Sequence, residues 1–493
     1  MLPVASLDAA MVIAETPEMP LHTLGVLILD VPEGSEATAY DHLRRLIEAR
    51  IAGVPPFRRR LVQGPLKLGD LRWIEDPGFD LDAHLLRRQL PAPGTERELA
   101  ALVGSYAAGL LDRDKPLWEL MLVEGLAGGR VAVVAKIHHA AMDGGRLVAL
   151  LGQLFDAAPD APPSSPAHDS WQPDRLPGTL WFATDTLRTL AHKPRNAAHA
   201  VAQIGQSLRR SAAQGAAAPP PEAPPSGPKR TPLGVPRTPW TGALTTKRSV
   251  AFADVPMNDL RAVRAAFETT INDVVLAACT AGLRRWLTEH DALPEHPLVA
   301  NVPVAVRAPE GEAETGNRVS MLRVHLPVQE RDPVQRLRLI HAETSVQKRK
   351  HRGRGGNVFQ HFSDLVLNLT VPWVLTHAVG LYARSHAADF VPAPWNLVIS
   401  NVPGPTRDLY CGGSRVSRIY PFGPVQHGSG LNLTVLSTPS HMCLGALACR
   451  ERVPDLEDIT QEFVREVGRL LALPGTSRGA PPAADPSGAA SLR

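Results

Sequence analysis

Two adjacent histidines, His138 and His139, stand just ahead of Asp143, Gly144 and Gly145. An imidazole changes protonation near neutral pH, so this pair suits proton transfer or metal ligation. The residues alone leave three readings open. The pair supplies a general base, or His138, His139 and Asp143 hold a metal, or two packing histidines precede an aspartate that caps the following helix. Successive side chains on extended backbone point to opposite faces, so the two histidines cannot share one job, and neighbours of this kind make poor joint ligands for one ion.

The elements that must hold this chemistry are readable on either side. Val131 to Ile137 is an apolar, β-branched run, and Leu147, Val148, Leu150 and Leu151 recur at helical spacing. The pattern predicts strand, turn and helix, with the polar groups gathered at the turn. Pro116-Leu117-Trp118 opens a predicted strand over Leu120–Glu124, where proline and tryptophan suit a core-anchored strand start. Asn272-Asp273 opens a helix to about Leu287, with Thr270 or Asn272 as its cap. Arg307 ends the apolar strand Leu298–Val306, and Gly316-Asn317 precedes a strand over Val319–Leu326. Ser400-Asn401-Val402-Pro403-Gly404-Pro405 reads as a strand end and tight turn, and Thr434 lies in the strand Gly430–Ser437, which is followed by Met442–Cys449. Helices are expected over 40–51, 96–111, 180–210, 257–267, 334–352 and 455–473, which makes the fold α/β. The basic triplet Arg58 to Arg60 reads as a solvated face or as a contact to an anionic ligand.

At 493 residues the chain is too long for one ordinary core, and 44% apolar with 20% charged residues is a globular composition. A net charge of +3 is far from the clustered excess of a nucleic-acid binder. Cys279, Cys411, Cys443 and Cys449 form no CxxC pair, and a reducing cytoplasm is expected. The chain carries no Walker A loop or HExxH, so nucleotide-hydrolysis and zinc-peptidase readings lack support, and its one GxSxG string, Gly475 to Gly479, falls in the Gly/Ala/Pro/Ser-rich tail rather than at a strand-to-helix elbow. No export signal is expected from an N-terminus with Asp8 and Glu15 where a signal peptide is apolar. The most apolar stretch, 365–381, is interrupted by Asn368, Pro372 and His377, so any membrane contact should be peripheral. The Pro/Ala-rich run Gln214 to Pro232 cannot pack a core. Lobes are therefore expected over 1–210 and 241–473, joined by a linker at 211–240 and followed by a disordered tail at 474–493.

His138, His139, Asp143 and Gly144 match the HHxxxDG motif and so resemble the CoA-dependent, chloramphenicol acetyltransferase-like superfamily. The opening SLDAAMVIAETPEMPLHTLGVLILD (6–30), PLW (116–118), NDVVLA (272–277), Gly316-Asn317, and SNVPGP (400–405) followed by GLNLTVLS (430–437) are similar, in order, to the wax ester synthase/diacylglycerol acyltransferase family. The resemblance spans residues 1 to 473. One departure is Cys449, where relatives commonly carry an acid.

The resemblance implies two mixed-sheet lobes meeting at an active-site tunnel, with CoA and acceptor arriving from opposite sides. It implies an O-acyltransferase that moves a long-chain acyl group from acyl-CoA, as co-substrate with no bound cofactor or metal, to diacylglycerol or a fatty alcohol. The implied catalytic set is His139 as base with His138 and Asp143, supported by Gly144 and by an Asp143–Arg307 ion pair. Asn272 and Thr434 are candidates for the oxyanion, and Pro116, Trp118, Ser400 and Asn401 for the substrate channel. Peripheral association with the inner face of the membrane or with lipid inclusions is expected. The competing readings are a relative with another alcohol or amine acceptor, and a lipid-binding protein of this fold without catalysis.

Overall fold

The computed structural model describes residues 1–32, 34, 38–64, 67–142, 150–161, 173–217, 235–305, 319–353 and 365–474. In chain order the elements are β1 (Leu2–Pro3), α1 (Ser6–Ala14), β2 (His22–Asp30), α2 (Ala39–Arg50), β3 (Arg59–Val62), β4 (Arg72–Glu75), β5 (Leu85–Gln89) and α3 (Glu96–Ala108). β6 (Trp118–Leu126), β7 (Arg130–His138), α4 (Thr179–Ala217), β8 (Arg248–Pro256), α5 (Met257–Ala266), α6 (Ile271–Glu289), β9 (Leu298–Ala305) and β10 (Val319–Leu326) follow. The chain continues with α7 (Pro333–Gly353), α8 (Pro372–Arg384), β11 (Leu397–Val402), β12 (Tyr410–Cys411), β13 (Ser414–Phe422), β14 (Leu431–Ser437), β15 (His441–Cys449) and α9 (Glu457–Leu471).

Two six-stranded mixed sheets carry the fold, in the orders β12-β13-β2-β7-β6-β5 and β10-β9-β11-β14-β15-β8. The run over 131–137 lacks a polar/apolar alternation because both faces of β7 are covered, whereas β14 alternates through Asn432 and Thr434 and buries those polar side chains as well. The second sheet is backed by α6, whose residues 273–283 are all buried, and by α9, which buries Ile459, Phe463, Val467 and Leu470. The two helices approach closely at Gly282, where a Cβ would stand 2.5 Å from the Ile459 carbonyl oxygen.

The lobes are not closed units. β13, from the second half of the chain, pairs antiparallel with β2, so that Phe422 faces Leu24 and Arg415 faces Asp30. One hairpin therefore crosses the division into 1–210 and 241–473. A single apolar cluster follows from it, joining Leu24, Val26, Leu99, Val103 and Ala132 to Val250, Phe422, Cys443, Leu447 and Cys449. Phe252 stacks on Tyr420 at 4.8 Å between ring centres, and the Tyr420 hydroxyl donates to Asp254 Oδ1 at 2.8 Å. Cys449 lies wholly inside this shared core.

The basic triplet is only partly exposed and stands against acids of the same small sheet. β3 pairs with β4 and places Arg59 Nε 2.7 Å from Glu75 Oε1 and Arg60 Nε 3.3 Å from Asp76 Oδ1, while Arg58 is buried within 3.9 Å of Glu75. Opposite charge on the neighbouring strand neutralises the run. α4 extends through residue 217, into the segment read as linker; residues 218–234 and 475–493 lie outside the described residues.

The crossing strand sets a steric limit that can be tested. At Gly445 on β15 a Cβ would stand 1.9 Å from the Pro421 carbonyl oxygen, whereas at Gly468 on α9 nothing lies within 4 Å. Gly445→Ala should lower stability by about 2–4 kcal/mol in urea denaturation. Gly468→Ala should be neutral or stabilising by up to about 1 kcal/mol.

Candidate active site

The turn after β7 is pinned from two sides. The His138 amide donates to the Leu117 carbonyl at 3.0 Å, and the His139 amide donates to the Leu21 carbonyl at 2.9 Å. The amides of Ala141 and Met142 return to the His138 carbonyl at 2.9 and 3.3 Å, closing the turn. His138 is buried, 1% exposed, and His139 is half-buried, so the two rings have different surroundings.

The His138 ring has its tautomer dictated by the backbone. The Ala140 amide donates to His138 Nδ1 at 3.0 Å. An amide N–H can only donate, so Nδ1 presents its lone pair and the neutral ring carries its proton on Nε2. Nε2 lies 3.5 Å from Glu15 Oε1, which also stands 3.1 Å from His22 Nε2. These are ion-pair distances rather than aligned hydrogen bonds. The other carboxylate oxygen of Glu15 accepts from Arg113 Nη2 at 2.7 Å and Nε at 3.1 Å.

Local sequence explains how the carboxylate reaches two imidazoles. α1 ends at Ala14, the amides of Thr16 and Met19 exchange bonds with each other's carbonyls, and Pro17 and Pro20 turn the chain into β2. β2 begins with His22, which is the direct cross-strand partner of His138, and the rings meet edge to face at 5.7 Å. Burial pushes the His22 imidazole down to about 4; the facing Glu15 raises it, and His138 and Lys136 add to the lowering. For Glu15, burial acts to raise the carboxyl, but His138 and His22 together outweigh it and hold it well below the usual carboxylate range.

The remaining sequence candidates fall in three places. Trp118 is 1% exposed, stacked between Phe57 at 4.3 Å and His84 at 4.4 Å, with its indole N–H on the Phe57 carbonyl at 2.8 Å. Its ring packs in the core, Pro116 is buried as well, and the PLW atom that reaches the histidine pair is the Leu117 carbonyl, which accepts from the His138 amide. Asn401 Nδ2 donates to Asn272 Oδ1 at 3.3 Å, so the NDVVLA and SNVPGP segments meet. Asn272, Ser400 and Asn401 are half-buried, and Ser400 is the register partner of Thr434. Thr434 is buried, and its hydroxyl donates to Asn432 Oδ1 at 2.7 Å. Asp143, Gly144, Arg307, Gly316 and Asn317 lie outside the described residues.

Thr270, not Asn272, caps α6, in a capping box with Asp273. Buried Asp273 also accepts from the Thr344 hydroxyl and faces His341 Nδ1, both at 2.7 Å, tying α6 to α7. Burial pushes the thiols of Cys279, Cys411 and Cys443 up to about 12, far from the thiolate that an acyl-cysteine route needs.

Glu15, His22 and Arg113 escaped the reading of the sequence. The only signal for Glu15 and His22 was the stretch ETPEMPLH, in which an acid after a helix and a histidine at a strand start are separated by two prolines; Arg113 had none.

The cluster has a consequence for acid stability. His22 protonates near 6.5 when unfolded but only near 4 when folded, and the folded Glu15 also resists protonation. The unfolded state then binds more protons, so stability falls as pH drops through the window from 6.5 to 4. Urea denaturation should show a loss of about 2 kcal/mol between pH 7 and pH 5 from His22 alone, and His22→Gln should flatten that dependence.

The family described as wax ester synthase/diacylglycerol acyltransferase catalytic domain matches residues 4–275, and its C-terminal domain matches residues 315–470. A Mycobacterium tuberculosis protein named for diacylglycerol O-acyltransferase activity is 34% identical over 477 residues, covering 95% of this chain and 89% of that protein. A Mycobacterium bovis protein of the same name is 34% identical over 504 residues, covering 96% and 92%. The wax ester synthase/diacylglycerol acyltransferase from Marinobacter aquaeolei superposes with a TM-score of 0.68 at 28% identity, over 96% of this chain and 99% of that one. The first condensation domain of the calcium-dependent antibiotic synthetase shares the fold, with a TM-score of 0.53 at 18% identity, over 97% of each chain. With the catalytic-domain match spanning more than half the sequence and the relatives covering nearly all of it, the chain belongs to the wax ester synthase/diacylglycerol acyltransferase family.

Proposed function

We infer that this chain moves a long-chain acyl group from acyl-CoA to the hydroxyl of diacylglycerol or a fatty alcohol, with His139 as general base and no acyl-enzyme intermediate. The observation that carries the base assignment is the engagement of His138. That ring is buried, its Nδ1 is taken by the Ala140 amide and its Nε2 faces Glu15. A base needs an unprotonated nitrogen within reach of the acceptor, and His138 offers none without breaking the turn. His139 is the partly exposed member of the pair.

The step balances without a further reagent. The acceptor O–H gives its proton to His139 while the oxygen attacks the thioester carbonyl. The tetrahedral intermediate collapses by breaking the C–S bond, and the imidazolium returns the proton to the departing CoA thiolate. The oxygen ester and free CoA are the products. Asn272 and Asn401, held together by a hydrogen bond between their side-chain amides, are the candidates for a polar wall.

The same reading places the chain on a lipid surface, because both acceptors are insoluble. Among the described residues no helix is long and apolar enough to cross a membrane. The support is an outward stripe on α4. Leu180 is 84% exposed, Leu187 68% and Val201 55%, with exposed Ala183, Ala191 and Ala198 between them at helical spacing. Exposed Arg188 and Arg195 flank the stripe, and α4 holds five lysines and arginines against one aspartate, which already pairs with Arg72. Lys193, on the inner face, fixes the helix by donating to the Leu367 and Thr370 carbonyls at 2.5 and 2.9 Å. An apolar stripe with cationic flanks suits the headgroup region of an anionic lipid surface.

Purified protein with labelled palmitoyl-CoA and either dioleoylglycerol or hexadecanol tests the chemistry. His139→Ala, folded, should lose about 10²–10⁴-fold in ester formation, and the wild-type rate should rise over about pH 5 to 8, where imidazoles lose their proton. An unchanged rate in His139→Ala removes the base assignment. No product with either acceptor favours a different alcohol or amine, or lipid binding without catalysis. In co-sedimentation with phosphatidylcholine/phosphatidylglycerol vesicles, Leu180→Asp/Leu187→Asp should weaken binding at least about tenfold. Salt should weaken binding too, and equal binding by the double variant would rule the stripe out.

A further inference from the structure

We propose that Glu15 is a positioning residue for acyl transfer: its buried carboxylate, facing Nε2 of both His22 and His138, fixes the His138 ring that secures the turn carrying His139. This rests on His139 as the base. Family membership and the sequence motifs do not single out Glu15; the geometry does. Its side chain is 3% exposed and lies between the two imidazoles.

The argument runs outward from the turn. The Ala140 amide has the His138 Nδ1 lone pair as its acceptor, and that acceptor exists only while the proton stays on Nε2. A neutral imidazole in a dry site can move its proton to the other nitrogen or flip its ring, and either change points a donor or a carbon at the Ala140 amide. A carboxylate on the Nε2 side opposes both changes, because it favours a protonated nitrogen at that position. The turn then keeps its bond between residues 138 and 140, and His139 follows directly in that turn.

The carboxylate is itself held. Arg113 is 45% exposed and grips the second Glu15 oxygen with two nitrogens, while its Nη2 also donates to the Val12 carbonyl at 2.7 Å. An array therefore runs from Arg113 at the surface through Glu15 and His138 to the turn. The other charge nearby is Lys136, on the same face of β7 as His138, which is itself turned to Glu119 at 3.6 Å and to the Tyr106 ring at 4.2 Å.

The position requires an acid of this length. Four nitrogens converge on Glu15: Nε2 of His22 and Nε2 of His138 at ion-pair distance, and two nitrogens of Arg113 by hydrogen bonds. A carboxylate offers acceptors on both oxygens, whereas glutamine would turn an NH2 group toward one set of donors. Aspartate would fall short by one methylene. The first change removes the negative charge and the second the reach that hold the imidazoles and Arg113 around this point.

The test uses the full chain and two readouts. Histidine-labelled protein gives the His138 tautomer by long-range 1H–15N spectra, assigned with His138→Gln; the expected state is an unprotonated Nδ1, lost or mixed in Glu15→Gln. In steady-state assays Glu15→Gln should lower kcat by about 10–100-fold with KM for palmitoyl-CoA within about twofold. Arg113→Gln, a surface change that spares the core, should lower kcat in the same direction by about 3–10-fold. A folded Glu15→Gln with wild-type kcat overturns the proposal, as does an unchanged His138 tautomer. If Glu15→Gln does not fold, wild-type kcat in Arg113→Gln overturns it. Because the tautomer is read without turnover, it stands apart from the base assignment, which His139→Ala tests alone.

Discussion

A single backbone amide, that of Ala140, and the lone pair it finds on His138 Nδ1 organise the chemistry of this molecule. One hydrogen bond engages the ring of one of two adjacent histidines in the turn itself, while the ring of the other, His139, is partly exposed. The constraint works because everything around it is fixed. Leu117 and Leu21 hold the two histidine amides from opposite sides, Trp118 is clamped between Phe57 and His84, and Glu15 closes the far side of the ring. The two histidines of the motif therefore sit in different surroundings, one buried and fixed and the other half-buried.

Around that turn, much of the protein's polar interior is arranged to keep charge in fixed places. Asp273 joins a helix cap to the neighbouring helix through Thr344 and His341. Arg248 reaches from the second sheet to the Glu18 carbonyl beside the Pro-rich turn, and burial lowers its affinity for its proton. Such buried groups add little net stability, but each is costly to strip of its partner, so they act mainly to specify one arrangement.

Most elements with a strong period were legible in the sequence. β10 was read at its observed bounds, and β7, β14, β15, α6 and α9 within a few residues, because buried runs and amphipathic stripes carry their own signal. β3, β5 and β13 were not. β5 is an edge strand reading LLRRQ, and β3 carries paired arginines, so neither alternates cleanly. β13 holds two arginines and Pro421 and bulges between Val416 and Arg418, and its partner lies almost four hundred residues away, at 389 for the Ser417–Ile28 contact. The motif residues were legible by type, but Glu15 was not, since only the Pro17–Pro20 turn brings it beneath a strand that ends more than a hundred positions later.

The long reach of β13 has an effect on biosynthesis. While the chain emerges from the ribosome, β2 has β7 on one side but must wait for residue 422 before its other edge is covered. During that interval the first half exposes a bare ladder of amides and carbonyls beside apolar side chains, the kind of template on which strands of other molecules add. Completion of the second lobe is therefore what makes the first one safe in a crowded cell, and a product truncated before residue 414 would be a nucleus for aggregation rather than half of a protein.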